Sequence, residues 1–247
     1  MIKLNRHPKP TFLSPEKVSE LTQDFKNNST TVWNNKQIKT SLLNSSHKKC
    51  AYCECKLDEE SQYMEVEHFE DKKNNPDKVI EWDNLLPSCK RCNGSKSTHD
   101  VINEPIVNPY IDEPREHFKL RPYRLKSKTD KGQNSIEVCG LNNSERVVRV
   151  RFEIGNKLEE TINIAEERCI SFMEKKTTVR KNKFINIIKS LLQECQPTSI
   201  YAATTSTILH TNPTFNTLVQ KLKDESLWDD EHQELYDISI ELVLDYN

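Results

Sequence analysis

Two Cys-x-x-Cys pairs, Cys50-Ala51-Tyr52-Cys53 and Cys89-Lys90-Arg91-Cys92, account for half of the eight cysteines in the chain. Two intervening residues let both sulfurs of a pair turn onto one ion, and two such knuckles close a tetrahedral thiolate site without room for water. The chemistry expected of Cys50, Cys53, Cys89 and Cys92 is therefore the binding of a structural Zn²⁺. Four unrelated buried thiols are the alternative, and paired spacing in a polar segment argues against it. Cys55 could stand in for Cys53, and His47 is a spare ligand. Thirty-five residues separate the pairs, more than in a simple zinc ribbon, so something sizeable is pinned between them. The insert carries Met64-Glu65-Val66-Glu67-His68-Phe69 and Trp82-Asp83-Asn84-Leu85-Leu86-Pro87, and Cys92 is followed by Asn93-Gly94-Ser95-Lys96. Each fragment alone is common; their order, interleaved with the knuckles, is specific.

In that order the sequence resembles the HNH nuclease family. Its ββα-metal motif has a histidine at the end of the first strand, a central asparagine, and a histidine or asparagine on the following helix. The match is Glu67-His68, Asn84 and Asn93-x-x-Lys96, with a cysteine pair just before Asn93 as in the zinc-stabilised branch, over residues 47–99. Glu67 stands where aspartate is usual and Asn93 where the family has its second histidine. Both offer hard oxygen ligands, which favours Mg²⁺ or Mn²⁺ over nickel- or zinc-dependent cleavage. The resemblance implies phosphodiester hydrolysis, for which a neutral imidazole with a pKa of about 6.5 suits proton removal from water. His68 is the expected general base. Glu67 and Asn93 are the expected ligands of a divalent cation that stabilises the charge building on the phosphate. The family assigns Asn84 to fixing the loop and orienting the base; Lys96 is left between a phosphate contact and a helix cap. Glu65, Glu70 and Asp71 are fallback ligands if Glu67 points away. Histidines 7, 99, 117, 210 and 232 read as ordinary, and a zinc-ligand or surface role is the bland alternative for His68.

Further along, Asn108-Pro109-Tyr110-Ile111-Asp112-Glu113-Pro114 with His117-Phe118, and Ile136-Glu137-Val138-Cys139-Gly140-Leu141-Asn142, resemble the PtuB-like HNH subunits of Septu-type and retron-associated anti-phage systems, which extends the match to about residue 155. That resemblance implies DNA as substrate, a PtuA-like ATPase subunit as partner, and a retron RNA or DNA component as a further one. The four glycines, 94, 132, 140 and 155, allow no Gly-x-x-x-x-Gly-Lys loop, so nucleotide sensing is left to another chain. A zinc-knuckle adaptor that binds nucleic acid or protein without cutting is the competing reading. A decayed domain is expected to have lost one of His68, Glu67 or Asn93, and all three are present.

The elements that must position these groups are mostly helical. Ser14-Pro15-Glu16 supplies a cap and a proline at the first helical position, followed by Val18, Leu21 and Phe25. A second helix is expected through Trp33, Ile38 and Leu42. Prolines from Pro105 onward, then Phe118, Leu120 and Tyr123 before a Lys131-Gly132 turn and Ile136-Val138, read as loop and short hairpin. Residues 144–154 alternate like a strand, but helical phase persists to Cys169, and Asn142 with Glu145 resembles a capping box. Gly155 is the weak point of that helix. Phe184, Ile188, Leu191 and Cys195 mark another, ending before Pro197, and Leu235, Ile238 and Leu242 a terminal one. Cys139, Cys169 and Cys195 lie on apolar faces as core thiols. The expected fold is α+β and mainly helical. It comprises an N-terminal helical segment (1–46), the zinc-stabilised HNH domain (47–104), a loop-and-hairpin bridge (105–143) and a C-terminal helical region (144–247) serving as partner interface.

Only 34% of the 247 residues are hydrophobic, which implies a thin core or one completed by a partner. With 36 basic against 38 acidic side chains, any basic surface must be local. Lys175, Lys176, Arg180, Lys181, Lys183 and Lys189 face only Glu174 between residues 171 and 190, whereas residues 221–247 hold nine acids and two lysines. Solvated helix faces explain both runs; a phosphate-contacting stripe and an acidic docking tail are the functional alternative. The opening residues lack a secretory apolar stretch and no segment reaches about 18 apolar residues, so the expectation is a cytoplasmic protein without a membrane span.

Overall fold

The computed structural model describes residues 1–57 and 63–245. They form two compact units: residues 1–117 with 126–142, and residues 118–125 with the described residues from 143 onward. Helices dominate, and the strands described form two small two-stranded sheets.

In the first unit, α1 (Pro15–Asn28) begins where the Ser14 hydroxyl accepts from the Lys17 amide at 3.2 Å. α2 (Lys36–Ser45) is capped by the Asn35 side chain, which accepts from the Gln37 amide at 2.8 Å. Trp33, expected inside this helix, lies in the turn before it, because asparagine bonds its own backbone more readily than it continues a helix. β1 (Met64–His68) and β2 (Leu85–Cys89) pair antiparallel, with Met64 opposite Cys89 and His68 opposite Leu85. α3 (Lys90–Lys96) follows at once. After a single turn, α4 (Pro114–His117), the chain enters a hairpin of β3 (Phe118–Arg121) and β4 (Arg124–Ser127), of which residues 118–125 belong to the second unit, and the first unit resumes with α5 (Asp130–Val138).

The hairpin expected around Lys131-Gly132 is thus displaced: Pro122-Tyr123 makes the turn, and Ile136-Val138 lies in a helix. Thr129 starts that helix by accepting from the Gly132 amide at 3.1 Å, and Gly132 rests on the chain at His117, where a β-carbon would come 2.3 Å from the carbonyl oxygen. A glycine that looked like a turn signal is needed for close backbone approach.

The second unit wraps α6 (Arg149–Glu174), α7 (Thr178–Gln193), α8 (Ala202–Thr211), α9 (Pro213–Asp224) and α10 (Asp230–Ile240) around Leu158, Ile162, Phe172, Phe184, Ile188, Leu209 and Phe215, all buried. A π-helical turn, Ser144–Val148, precedes α6, and its cap is Asn143, bonded to the Arg146 amide at 3.2 Å, in place of the expected Asn142. Gly155 does not interrupt α6. It lets the Tyr123 ring approach, since a β-carbon there would lie 2.6 Å from Tyr123 Cε1 and 2.8 Å from Ile208 Cδ1. The terminal helix stops at Ile240, short of Leu242. α8 gave no periodic signal because it is buried on every side from Ala202 to Leu209. The two charge runs meet each other: Lys176 pairs with Glu225 and Lys189 with Glu231. Among the described residues no helix is long and apolar enough to cross a membrane.

Two predictions concern this unit. Gly155→Ala is expected to destabilise the protein by roughly 1–3 kcal/mol through overpacking, read as a lower urea midpoint at unchanged slope. His210, with Nε2 bonded to Ser239 Oγ at 2.8 Å, is held by burial at a pKa of about 4 against an ordinary 6.5. The unfolded chain therefore binds a proton that the folded one refuses as pH falls from about 6.5 to 4, and on the order of 3 kcal/mol is lost across that window. In His210→Gln the stability–pH slope should be shallower there, measured by urea unfolding at stepped pH.

Candidate active site and metal centre

The four knuckle sulfurs, from Cys50, Cys53, Cys89 and Cys92, all lie within 4.8 Å of one another. A tetrahedron with Zn–S bonds of about 2.3 Å has sulfur–sulfur edges of about 3.8 Å, and Cys53 Sγ stands 3.8 Å from Cys89 Sγ. The donor set therefore fits a closed structural Zn²⁺ site. The backbone builds it locally. Glu54 in the left-handed region turns the chain so that the Cys50 amide reaches the Cys55 carbonyl at 2.9 Å, and the Ala51 amide ties this knuckle to Pro87 of β2 at 2.9 Å. In the second knuckle the Cys92 amide points at Cys89 Sγ, 3.4 Å away, which also caps α3.

Between the knuckles, β1 sends successive side chains to opposite faces. Glu65 and Glu67 share the face that meets α3. Asn93 Nδ2 donates to Glu65 Oε2 at 2.6 Å, and both residues are partly exposed. Glu67 is turned inward, 2% exposed, with Oε1 2.7 Å from Lys96 Nζ. Burial raises its pKa to about 7, against the pull of Lys96. Lys96, itself buried, also donates to the His68 carbonyl at 2.9 Å, so it ties the end of β1 to α3.

His68 is the last residue of β1. Its Nε2–H donates to the Val79 carbonyl at 2.9 Å, and a carbonyl can only accept, so the lone pair of the neutral ring resides on Nδ1. Trp33 meets the ring edge-on at 4.9 Å between centroids. Burial, reinforced by the Lys72 ammonium, lowers the pKa to about 4, which keeps the imidazole unprotonated near neutral pH. The carbonyl that holds it is itself held: Asn84 Oδ1 accepts from the Glu70 amide at 2.7 Å, and Asn84 Nδ2 donates to the carbonyls of Glu70 at 3.0 Å and Lys78 at 3.1 Å. Asn84 thereby staples the loop that carries Val79. Asp71 is occupied as a turn cap for Lys73 and Asn74, and Glu70 pairs with Lys78. The structure thus brings together Glu65 with Asn93, Glu67 with Lys96, and His68 with Val79 and Trp33.

Residues 50–99 match the HNH endonuclease family. Over nearly the whole length, 237 residues, the chain is 45% identical to the Septu protein PtuB of Bacillus thuringiensis, covering 95% of this chain and 92% of that one. The chain belongs to the PtuB family. A second PtuB, from Bacillus mycoides, is 29% identical over 46% of this chain and 50% of its own. A retron Ec83 protein of Escherichia coli that carries an HNH endonuclease name is 33% identical over 34% and 33% of the two chains. This PtuB family member is an endonuclease with an HNH domain, and its four gathered cysteines can bind zinc.

Sequence reasoning missed three contributors in this PtuB chain. Val79 acts through its backbone, which a sequence does not display. Trp33 lies outside the HNH match, and the only hint was a tryptophan beside two asparagines. Lys72, with its ammonium 4.9 Å from the Trp33 ring centroid, sits in no motif that would single it out.

Removing one sulfur should show how much the fold leans on the metal. Cys89→Ser is expected to lose bound zinc, measured by atomic emission on the purified protein, and to melt well below the parent, because binding energy at such a site is folding energy. Unchanged zinc content would contradict the four-sulfur centre.

Proposed function

We propose that this chain is a metal-dependent DNA endonuclease of an anti-phage defence system and that His68 is its general base. The observation that carries the reading is the His68 imidazole, fixed at the end of β1 by the Val79 carbonyl with its basic nitrogen left over. Nδ1 takes a proton from water as the water oxygen bonds to phosphorus, and the bond from phosphorus to the leaving sugar oxygen breaks, that oxygen departing with the electron pair and taking a proton from solvent. Asn84 is a positioning residue, acting through the loop that presents Val79. A divalent cation, Mg²⁺ or Mn²⁺, would be held by Asn93 and a β1 carboxylate and would supply charge stabilisation at the phosphate. Glu65 is the accessible carboxylate; Glu67 joins the set only if its ion pair with Lys96 opens. The hard-oxygen donor set suits these ions.

The Septu and retron names of the relatives support a defence role and, with it, a PtuA-like ATPase partner and DNA as substrate. The retron likeness extends the proposal to a complex containing retron RNA or DNA.

Plasmid nicking with Mg²⁺ or Mn²⁺ tests the base. His68→Ala should be slower by about 10²–10⁴-fold with DNA affinity retained, and equal rates would end the assignment. Glu65→Gln should shift the metal concentration needed for cleavage while leaving the melting temperature near the parent's. Glu67→Ala should instead lower stability by several kcal/mol, because it strands the buried Lys96 charge.

A further inference from the structure

Electrostatic balance across the chain obliges any phosphate-binding surface to be local, and the basic run at residues 171–190 is partly spent on the acidic run of its own unit. A different stretch stands out. Residues 29–57 contain five lysines and one acid, Glu54, which is buried against Lys49. On α2, Lys36 and Lys39 lie three apart on one helix face and form no ion pair among the described residues. They line a cavity of about 470 Å³ together with Asn34, Thr40, Tyr63 and Met64. Among the described residues no carboxylate lines it, and the Tyr63 ring at its edge is 76% exposed. Asp58, Glu59 and Glu60 precede Tyr63 in sequence and lie outside the described residues.

The cavity connects to the catalytic groups through the chain itself. Trp33, next to Asn34, packs on the His68 ring, and its own ring carries the Lys72 ammonium, which also makes no ion pair among the described residues. β1 runs from the cavity at Met64 to His68.

We propose that the groove between α2 and the start of β1 is the substrate-binding track. A DNA strand lies with its phosphates on Lys36 and Lys39, with Tyr63 offering a face for a base, and Trp33 with Lys72 leads the strand to His68. Cations set in a row contact phosphates without regard to sequence, and an exposed aromatic ring adds stacking that tolerates any base. The inference rests on the endonuclease reading and extends it to the surface that holds the substrate. It also places part of the binding site on the N-terminal helical segment, outside the HNH match.

The experiment is binding of a short fluorescein-labelled DNA single strand and its duplex by fluorescence anisotropy. It uses full-length His68→Ala protein without added Mg²⁺ or Mn²⁺ and without chelator, so that nothing is cut and the zinc site stays loaded, across a range of salt. Adding Lys36→Ala and Lys39→Ala to that background should weaken binding about tenfold or more and reduce the slope of log affinity against log salt by about two. Tyr63→Ala should weaken the single strand more than the duplex. Lys175→Ala with Lys181→Ala is the comparison pair and should leave affinity within twofold. Circular dichroism and zinc content establish that each variant is folded. Unchanged affinity and salt slope in the Lys36/Lys39 variant, or a larger loss in the Lys175/Lys181 pair, overturns the proposal. Because affinity is read without cleavage, these results stand apart from nicking by His68→Ala, whose survival would overturn the base assignment instead.

Discussion

Four sulfurs gathered to a point are the constraint from which the nuclease unit follows. The described part of the insert between the cysteine pairs is built on a two-stranded sheet, which alone is marginal in water. Fixing Cys53 beside Cys89 at 3.8 Å brings the two ends of the insert together. The second knuckle is also the turn from β2 into α3, so the sulfur cluster that closes the loop also sets the start of the helix that faces β1. The spacing of the cysteines therefore does for this unit what a larger core does elsewhere.

From that anchor, order is passed on through polar contacts. Lys96 on α3 ties down Glu67 and the His68 carbonyl at once. Asn84 fixes the loop from Glu70 to Lys78, and the next residue, Val79, orients the imidazole. A buried carboxylate and a buried ammonium are costly unless paired, and their pairing makes this corner intolerant of small changes. The His68 imidazole is thus held at its backbone by Lys96 and at its ring by the Val79 carbonyl, with Trp33 closing the third side.

How much of this was legible in the sequence depended on the kind of signal. Cys50, Cys53, Cys89 and Cys92 were readable because metal geometry dictates spacing, and the Ser14-Pro15 helix start because capping is local. Charge runs were visible, but their pairing with each other was not, because that depends on tertiary placement of α7, α9 and α10. α8 escaped because Ala202–Leu209 is buried on every side, Thr204, Thr205, Ser206 and Thr207 included, so no exposed face gives it a period. Gly132 was misread as a turn for a similar reason: its need for backbone proximity to His117 is non-local. At the site, residue types were evident while facing was not. Glu67 is taken by Lys96, and it is Glu65, two residues earlier on the same strand face, that meets Asn93.

Arg6 reaches across the same unit. Its guanidinium lies 3.9 Å from the Tyr110 ring centroid and donates to the carbonyls of Trp82 at 2.9 Å and Leu85 at 2.8 Å, on either side of Asn84. Lys3 meanwhile bonds the Ile111 carbonyl at 2.7 Å. The catalytic module is therefore strapped by segments far from it in sequence, and it is not a portable cassette. An excised span of residues 50–99 would leave behind the buckle as well as the belt, and grafting this nuclease onto another scaffold means transplanting the first hundred-odd residues whole.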